Sequence, residues 1–134
     1  MRFMIIGRAT KESEAGTMPK PEAFEAMGKY NEELVKAGIL LGAEGLAPSS
    51  KGARVTFNGD ERTVTDGPFA ETKEMIAGFQ IIQVKSLQEA IEWVKRGPNM
   101  FPDRESVVEI RKLMDIEDFG ADFTPNPEVE KVKF

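Results

Sequence analysis

The sequence predicts an α+β protein with the ferredoxin-like sandwich fold, in which an antiparallel sheet carries helices on one face. Apolar segments alternate with segments of helical periodicity in the order β-α-β, and the same order recurs in the second half. A β-hairpin signal lies between the halves. Two split βαβ halves of this kind form that sandwich. A chain of 134 residues has room for one such domain and its core, but not for two.

The first half contains two predicted strands and one helix. The apolar segment Arg2–Arg8 predicts a strand that is buried on both faces, and a polar loop over Ala9–Thr17 follows it. Pro19 and Pro21 open a helix, because a missing N–H costs nothing in the first helical turn. The segment Ile39–Ala47 predicts a second strand whose glycines indicate a bulge or a close backbone approach.

The second half begins after a predicted hairpin over Ala53–Thr65. Asn58-Gly59 lies between its two β-rich segments, which predicts a type I′ turn because both central residues of that turn need positive φ. The later predicted elements are the strand Gly78–Val84, a helix that begins with a capping box of Ser86 and Glu89, and the strand Ser106–Leu113.

The predicted helices cover only one face of the sheet. Both Arg2–Arg8 and Gly78–Val84 carry apolar residues on both faces, and soluble monomers rarely leave such a surface open. The sequence therefore predicts a homodimer joined sheet face to sheet face, with a pocket between the sheet and either the partner or the hairpin. The alternative is a monomer covered by its own C-terminal tail. We expect residues 1–118 to form the domain, and residues 119–134 to form a tail that packs on it or on the partner.

The composition excludes several classes of function. With 18 basic and 23 acidic residues the formal charge is −5, so a nucleic-acid partner is disfavoured. No apolar run approaches the ~20 residues of a membrane span, and the N-terminus lacks the features of a signal peptide, which predicts a cytoplasmic protein.

The absence of cysteine and histidine restricts the available chemistry. Without cysteine there are no disulfides, thiolate nucleophiles or cysteine-bound metals. Without histidine the commonest general base near neutral pH is missing. The acidic pairs lack the spacing of a calcium loop and no glycine-rich phosphate loop is present, so we predict no metal and no cofactor.

The segment Asp66–Glu74 is the first candidate site, because it concentrates ionisable side chains in a short loop between two regular elements. Asp66 either accepts backbone hydrogen bonds as a turn residue or faces a pocket as a general base or polar anchor. In an extended loop Glu71 and Lys73 lie on the same side, where they could pair or line a cavity. The other interpretation is a solvated run of charges.

The last strand carries the second candidate site. If Val108 and Ile110 pack on the helices, Glu109 and Arg111 point to the opposite face. Unpaired charges there would be costly, so they should form an ion pair or meet a ligand, whose carboxylate the fork of Arg111 could bind. Arg8, at the end of the first strand, follows the same reasoning.

The chain resembles the YCII-related family, DGPF-domain group, over nearly its whole length. The segments that carry the resemblance are Met1–Ile6, Thr63–Glu74 with its Asp66-Gly67-Pro68-Phe69 string, Gly78-Phe79, Ser86–Ala90 and Val108–Arg111. The resemblance implies a dimeric α+β barrel. The related superfamily includes isomerases and dehalogenating lyases of aromatic breakdown. A better-known branch has a proposed His–Asp dyad, of which only the aspartate could be carried over here, onto Asp66.

Two functional hypotheses follow. The first is a dimeric ligand-binding or regulatory module, which agrees with the occurrence of family members beside extracytoplasmic-function sigma factors. Its pocket would hold a small anionic or aromatic molecule with Asp66, Lys73 and Arg111. The second is a cofactor-free lyase or isomerase that uses Asp66 as the acid or base and a cation to stabilise an enolate. The catalytic hypothesis requires those three side chains to converge on one enclosed cavity.

Overall fold

A computed structural model describes residues 1–132. Its strands are β1 (Arg2–Arg8), β2 (Leu40–Gly45), β3 (Ala53–Asn58), β4 (Glu61–Asp66), β5 (Ile76–Gln83) and β6 (Val108–Lys112). Its α-helices are α1 (Lys11–Glu14), α2 (Pro21–Lys36), α3 (Leu87–Lys95) and α4 (Pro127–Glu130), and short 3₁₀ helices lie at Ser49–Lys51, Thr72–Glu74 and Ile116–Phe119. No helix within residues 1–132 is long and apolar enough to cross a membrane.

The main sheet has four strands in the order β2-β5-β1-β6, and its neighbours are antiparallel. Without the β3–β4 insertion this is the strand order of two split βαβ halves, so the predicted ferredoxin-like fold is confirmed. The register of β2 shifts between Leu40 and Gly42, which confirms the irregularity that the glycines of this strand indicate.

The helix-covered face of the sheet holds the core. Phe3, Ile5, Ile82 and Val84 form a buried cluster with Ala90 of α3. On α2, Leu34 is fully buried. The Gln80 amide of β5 donates a hydrogen bond of 2.5 Å to the Asn31 carbonyl oxygen of the same helix. Because residues that pair across strands share a face, Ile110, which pairs with Ile5, also lies on this side.

The opposite face, which we call the open face, is apolar along its centre. The register places Met4 and Ile6 of β1 beside Ile81 and Phe79 of β5. Ile81 is 2% exposed, whereas Met4, Ile6 and Phe79 are half-buried. The predicted apolar residues on both faces are therefore present, but less of this surface is open to solvent than the sequence suggests.

Strands β3 and β4 form a separate two-stranded ribbon, which confirms the predicted hairpin. Its turn differs from the prediction. Asn58 pairs with Glu61, so the central residues are Gly59 and Asp60, and among them only Gly59 has a positive φ, of 60°. The type I′ turn is therefore wrong, because a glycine at the first central position is the requirement of a type II′ turn.

Two other elements differ from the expectations. The loop predicted over Ala9–Thr17 contains α1, whose first turn is capped by the Thr10 hydroxyl. The capping box of α3 is half formed, because Ser86 caps the Glu89 N–H while the Glu89 carboxylate accepts from Lys85. In the tail, the Phe119 and Phe123 rings stack with centroids 4.5 Å apart, and residues 133 and 134 lie outside the described residues.

Candidate functional site

Three charged residues form one hydrogen-bonded group on the open face, which we call the arginine cluster: Arg8, Glu109 and Arg111. Arg8 Nη1 donates to Glu109 Oε1 over 2.8 Å, and Arg111 Nη1 donates to Glu109 Oε2 over 3.1 Å. Glu109 thus uses one carboxylate oxygen for each arginine. The predicted shared face of Glu109 and Arg111 is confirmed by this contact, and Arg8 joins them from β1.

The cluster is a positively charged site, because two guanidinium groups share one carboxylate. The hydrogen bond from Arg111, together with that from Arg8, lowers the pKa of Glu109 below its ordinary value of 4.5. The side chains of Arg8 and Glu109 are 31% and 35% exposed, whereas that of Arg111 is 70% exposed. Arg111 is therefore the cation that a ligand would meet first.

Arg8 also links the cluster to the loop before β5. Its Nη2 donates to the backbone oxygen of Lys73, and its Nε is buried without a hydrogen-bond partner among the described residues. Thr72–Glu74 is a 3₁₀ helix, so the predicted extended loop with Glu71 and Lys73 on one side is wrong. The reason is local, since the Glu71 carbonyl accepts from the N–H of Glu74.

The side chains of Glu71 and Lys73 in this loop therefore have different environments. The Glu71 carboxylate lies 4.0 Å from Arg54 Nη1, while the Arg54 guanidinium stacks 3.8 Å over the Phe69 ring. Lys73 contributes its backbone oxygen to the cluster, and its side chain is exposed. Glu71 is thus part of the contact between the ribbon and the loop, and not of the arginine cluster.

Residues Gly67–Phe69 form a close-packed corner at the base of the ribbon, with a cis peptide bond between Gly67 and Pro68. The Gly67 N–H donates to the Gly52 carbonyl over 3.0 Å, and the Phe69 N–H donates to Ser49 Oγ over 3.1 Å. A side chain at position 67 would overlap the Ser49 carbonyl oxygen. Glycine is thus required here by a close approach of two backbone segments.

Ser49 is in turn held by Glu14 of α1, a contact that the sequence did not indicate. The Glu14 carboxylate accepts from Ser49 N over 2.8 Å and from Ser49 Oγ over 2.5 Å. Both hydrogen bonds lower the pKa of Glu14, and the one from the Ser49 hydroxyl has the larger effect. Glu14 and Ser49 are 35 residues apart in the chain, and neither belongs to a local motif, so only the tertiary structure reveals the pair.

Asp66 lies outside the arginine cluster. It is the last residue of β4, pairs with Ala53 and is exposed, and its carboxylate makes no hydrogen bond or ion pair with any residue in the described part of the chain. Two shallow cavities accompany the sheet. One, of about 260 Å³, lies between Arg2 and the start of the tail, and the other, of about 300 Å³, is lined by residues that include Phe3, Ile110 and Arg111.

Neither cavity contains Asp66 or Lys73. These two cavities therefore do not bring Asp66, Lys73 and Arg111 together. Asp66 belongs to the two-stranded ribbon, whereas Arg111 lies on β6, an edge strand of the four-stranded sheet. In the described residues no group of three or more acidic side chains could hold a metal ion.

The fold and this site define a ferredoxin-like α+β protein with a cationic cluster on its open face. The YCII-related domain matches residues 1–117, and the chain belongs to the YCII-related family. An uncharacterised protein of Rhizobium meliloti (strain 1021) is 39% identical over 87 residues, which is 65% of this chain and 69% of that one.

A solved structure also shares similarity with the chain. It is that of 5-chloro-2-hydroxyhydroquinone dehydrochlorinase from Burkholderia phenoliruptrix AC1100, in complex with 2,5-dihydroxybenzoquinone. The similarity covers 81% of this chain and 91% of that one, at 18% sequence identity and a TM-score of 0.41.

Proposed function

We propose that the protein is a small ligand-binding module, and that its arginine cluster binds a molecule with an anionic group and an apolar or aromatic body. The observation that carries this proposal is the position of Arg111. Its guanidinium is 70% exposed and bonds Glu109 through one nitrogen. A guanidinium has five N–H donors in a planar fork, so donors are left for a carboxylate or another planar anion.

The surroundings of the cluster supply the apolar half of the site. The register places Glu109 beside Ile6, and Ile6 beside Phe79. Ile6 and Phe79 are half-buried, so apolar surface is available next to the cations.

A regulatory module that acts as a homodimer agrees with this site. The apolar open face is the surface on which the sequence predicts pairing of two copies, and a cytoplasmic location is part of the same proposal. In this arrangement the partner's open face would enclose the arginine cluster and exclude water from it, which strengthens charge-assisted hydrogen bonds. Residues 119–134 would then pack on the domain or on the partner.

Catalysis as a cofactor-free lyase or isomerase is the second candidate. One observation favours it, which is that the Asp66 carboxylate is exposed and has no internal partner in the described residues. A general base must be free to accept a proton from its substrate. The substrate class is the same, a small anionic or aromatic compound, but it would have to reach Asp66 on the ribbon.

A calorimetric titration with benzoate, and with benzyl alcohol as its neutral counterpart, tests the binding proposal. We expect benzoate to bind and benzyl alcohol to bind at least tenfold more weakly, because only the carboxylate can use the guanidinium fork. Arg111→Gln should weaken benzoate binding at least tenfold. Lys95→Gln on α3, which packs on the other face, is the control and should leave it unchanged.

Two results would contradict the proposal: wild-type protein that does not prefer benzoate, or an Arg111→Gln variant that binds it as well as wild type. Asp66→Asn separates the two candidates. Under the binding hypothesis it leaves the benzoate affinity within about twofold, because Asp66 lies outside the cluster. If the protein converts an anionic aromatic compound, the same substitution removes turnover.

A further inference from the structure

The β3–β4 ribbon presents an apolar surface that is largely open to solvent. The register places Val55 opposite Val64 and Phe57 opposite Arg62, so these four side chains share one face. Val55, Phe57 and Val64 are 51%, 69% and 64% exposed, and all residues of both strands are exposed. An isolated two-stranded ribbon is at best marginally stable in water, so a partner for this face would stabilise it.

The same face carries one charge at each end. Asp66 lies at the base of the ribbon and Arg62 lies near its tip, both on β4, with Val64 between them. At about 3.3 Å per residue the two charges are roughly 13 Å apart. The Arg62 guanidinium stacks 4.4 Å over the Phe57 ring and donates to the carbonyl oxygens of Gly59 and Glu61.

Neither charge is neutralised by an ion pair within residues 1–132. Among the described residues Arg62 forms no ion pair with a carboxylate, and Asp66 forms none with a cation. Consider a two-fold axis that lies in the plane of the face and runs along the Val55–Val64 pair, across the strands. A rotation by 180° about this axis brings a second copy onto the face with its two ends exchanged. It therefore places each arginine over the aspartate of the other copy. Such self-complementarity is what a two-fold symmetric interface requires.

We propose that two copies of this chain associate through this ribbon face, packed antiparallel, with Arg62 of the partner subunit bound to Asp66. Val55, Phe57 and Val64 form the apolar centre, and the two Arg62–Asp66 pairs close its ends. The interface goes beyond pairing of the open sheet faces, since it has its own surface and its own charges.

This association would complete the surroundings of Asp66. In one subunit the carboxylate is exposed to water at the base of the ribbon. In the pair it lies beside a guanidinium and under the apolar residues of the partner. The second subunit thus contributes a cation next to the one acidic candidate that forms no ion pair among the described residues.

Sedimentation velocity of the full chain over a range of concentrations, with charge-exchange variants, tests the proposal. We expect wild type to form a species larger than a dimer at micromolar concentration, because the open faces pair as well. Arg62→Asp alone and Asp66→Arg alone should each weaken this further association at least tenfold and leave the open-face dimer, because each sets like charges against one another. The double variant Arg62→Asp/Asp66→Arg should restore the larger species, since the exchanged pair forms again in the opposite direction.

Glu61→Lys is the matched control. Glu61 lies on the same strand, but its side chain points to the other face of the ribbon, so this variant should form the larger species like wild type. Circular dichroism establishes that each variant is folded. The variant Val55→Thr/Val64→Thr disrupts the apolar centre of the interface by a second route, because it leaves the charges and the corner beside Asp66 intact.

Three outcomes would overturn the proposal: a wild type that forms no species larger than a dimer, single variants that associate like wild type, or a double variant that does not recover. If Phe79→Ser weakens association and the ribbon variants do not, the copies pair through the open face alone and the ribbon interface is wrong. The benzoate titration reports the arginine cluster in all these cases, so failure of the ribbon proposal and failure of ligand binding are separate results.

Discussion

At the scale of single residues, Glu109 decides the electrostatics of the open face. It separates two guanidinium groups that would otherwise repel each other, and their hydrogen bonds lower its pKa below 4.5. A carboxyl group whose pKa is lowered on folding stabilises the folded protein at pH values above the pKa that the group has in the unfolded chain. That contribution is lost as the pH falls through the folded pKa.

Glu109→Gln should therefore destabilise the protein at neutral pH and have less effect in acid. We expect the urea midpoint of the variant to lie below that of wild type at pH 7. The difference should persist down to about pH 4.5 and shrink below it, as the wild-type carboxyl takes up its proton. Urea unfolding at pH 7, 5 and 3 measures this. A constant difference at all three pH values would show that Glu109 acts through packing and not through its charge.

At the scale of elements, the corner at Gly67–Phe69 connects the ribbon to the rest of the molecule. Gly67→Ala would push a methyl group into the Ser49 carbonyl, and we expect it to cost about 1–3 kcal/mol of unfolding free energy, the usual range for overpacking. Gly28→Ala in α2 is the matched control. A side chain at position 28 meets nothing within 4 Å, so it should stabilise the helix by about 0.5–1 kcal/mol.

Urea unfolding of the two alanine variants provides the comparison, since the same chemical change is made at both positions. Similar stabilities of the two variants would mean that the corner can move away from Ser49 without loss. A destabilised Gly67→Ala would identify the glycine of the Asp66-Gly67-Pro68-Phe69 string as a structural requirement, independent of any ligand.

Elements with strong local signals were predictable, and those that depend on distant contacts were not. Strand β1 is a continuous apolar run, and α2 begins at a proline, so both follow from short stretches of sequence. Helix α1 has four residues and none of them is buried, which is too short for a periodic pattern. The turn of the ribbon was displaced by one residue, because register depends on the pairing of both strands.

At the scale of the whole molecule, the core rests on a few fully buried side chains. Leu34 is 0% exposed, whereas its neighbour Val35 is 61% exposed. Leu34→Ala should cost about 2–5 kcal/mol through lost burial and a cavity, and Val35→Ala should change stability by less than about 0.5 kcal/mol. Urea unfolding followed by the fluorescence of Trp93 measures both. Equal losses would place part of the core on the outer side of α2.

The candidate site was predictable only in part, because its members come from different elements. Alternation along β6 placed Glu109 and Arg111 on one face, and their contact agrees with it. The addition of Arg8 follows from the neighbouring position of β1 in the sheet. Asp66 could not be placed from sequence, since its distance from the cluster depends on where the ribbon projects.

The ribbon is joined to the body at its base, and its strands add no buried side chain to the interior. Substitutions along it can therefore accumulate without disturbing the packed centre of the fold. Among related proteins, sequence changes in such an appendage would alter which copies associate with one another, while the scaffold that carries the arginine cluster stays the same.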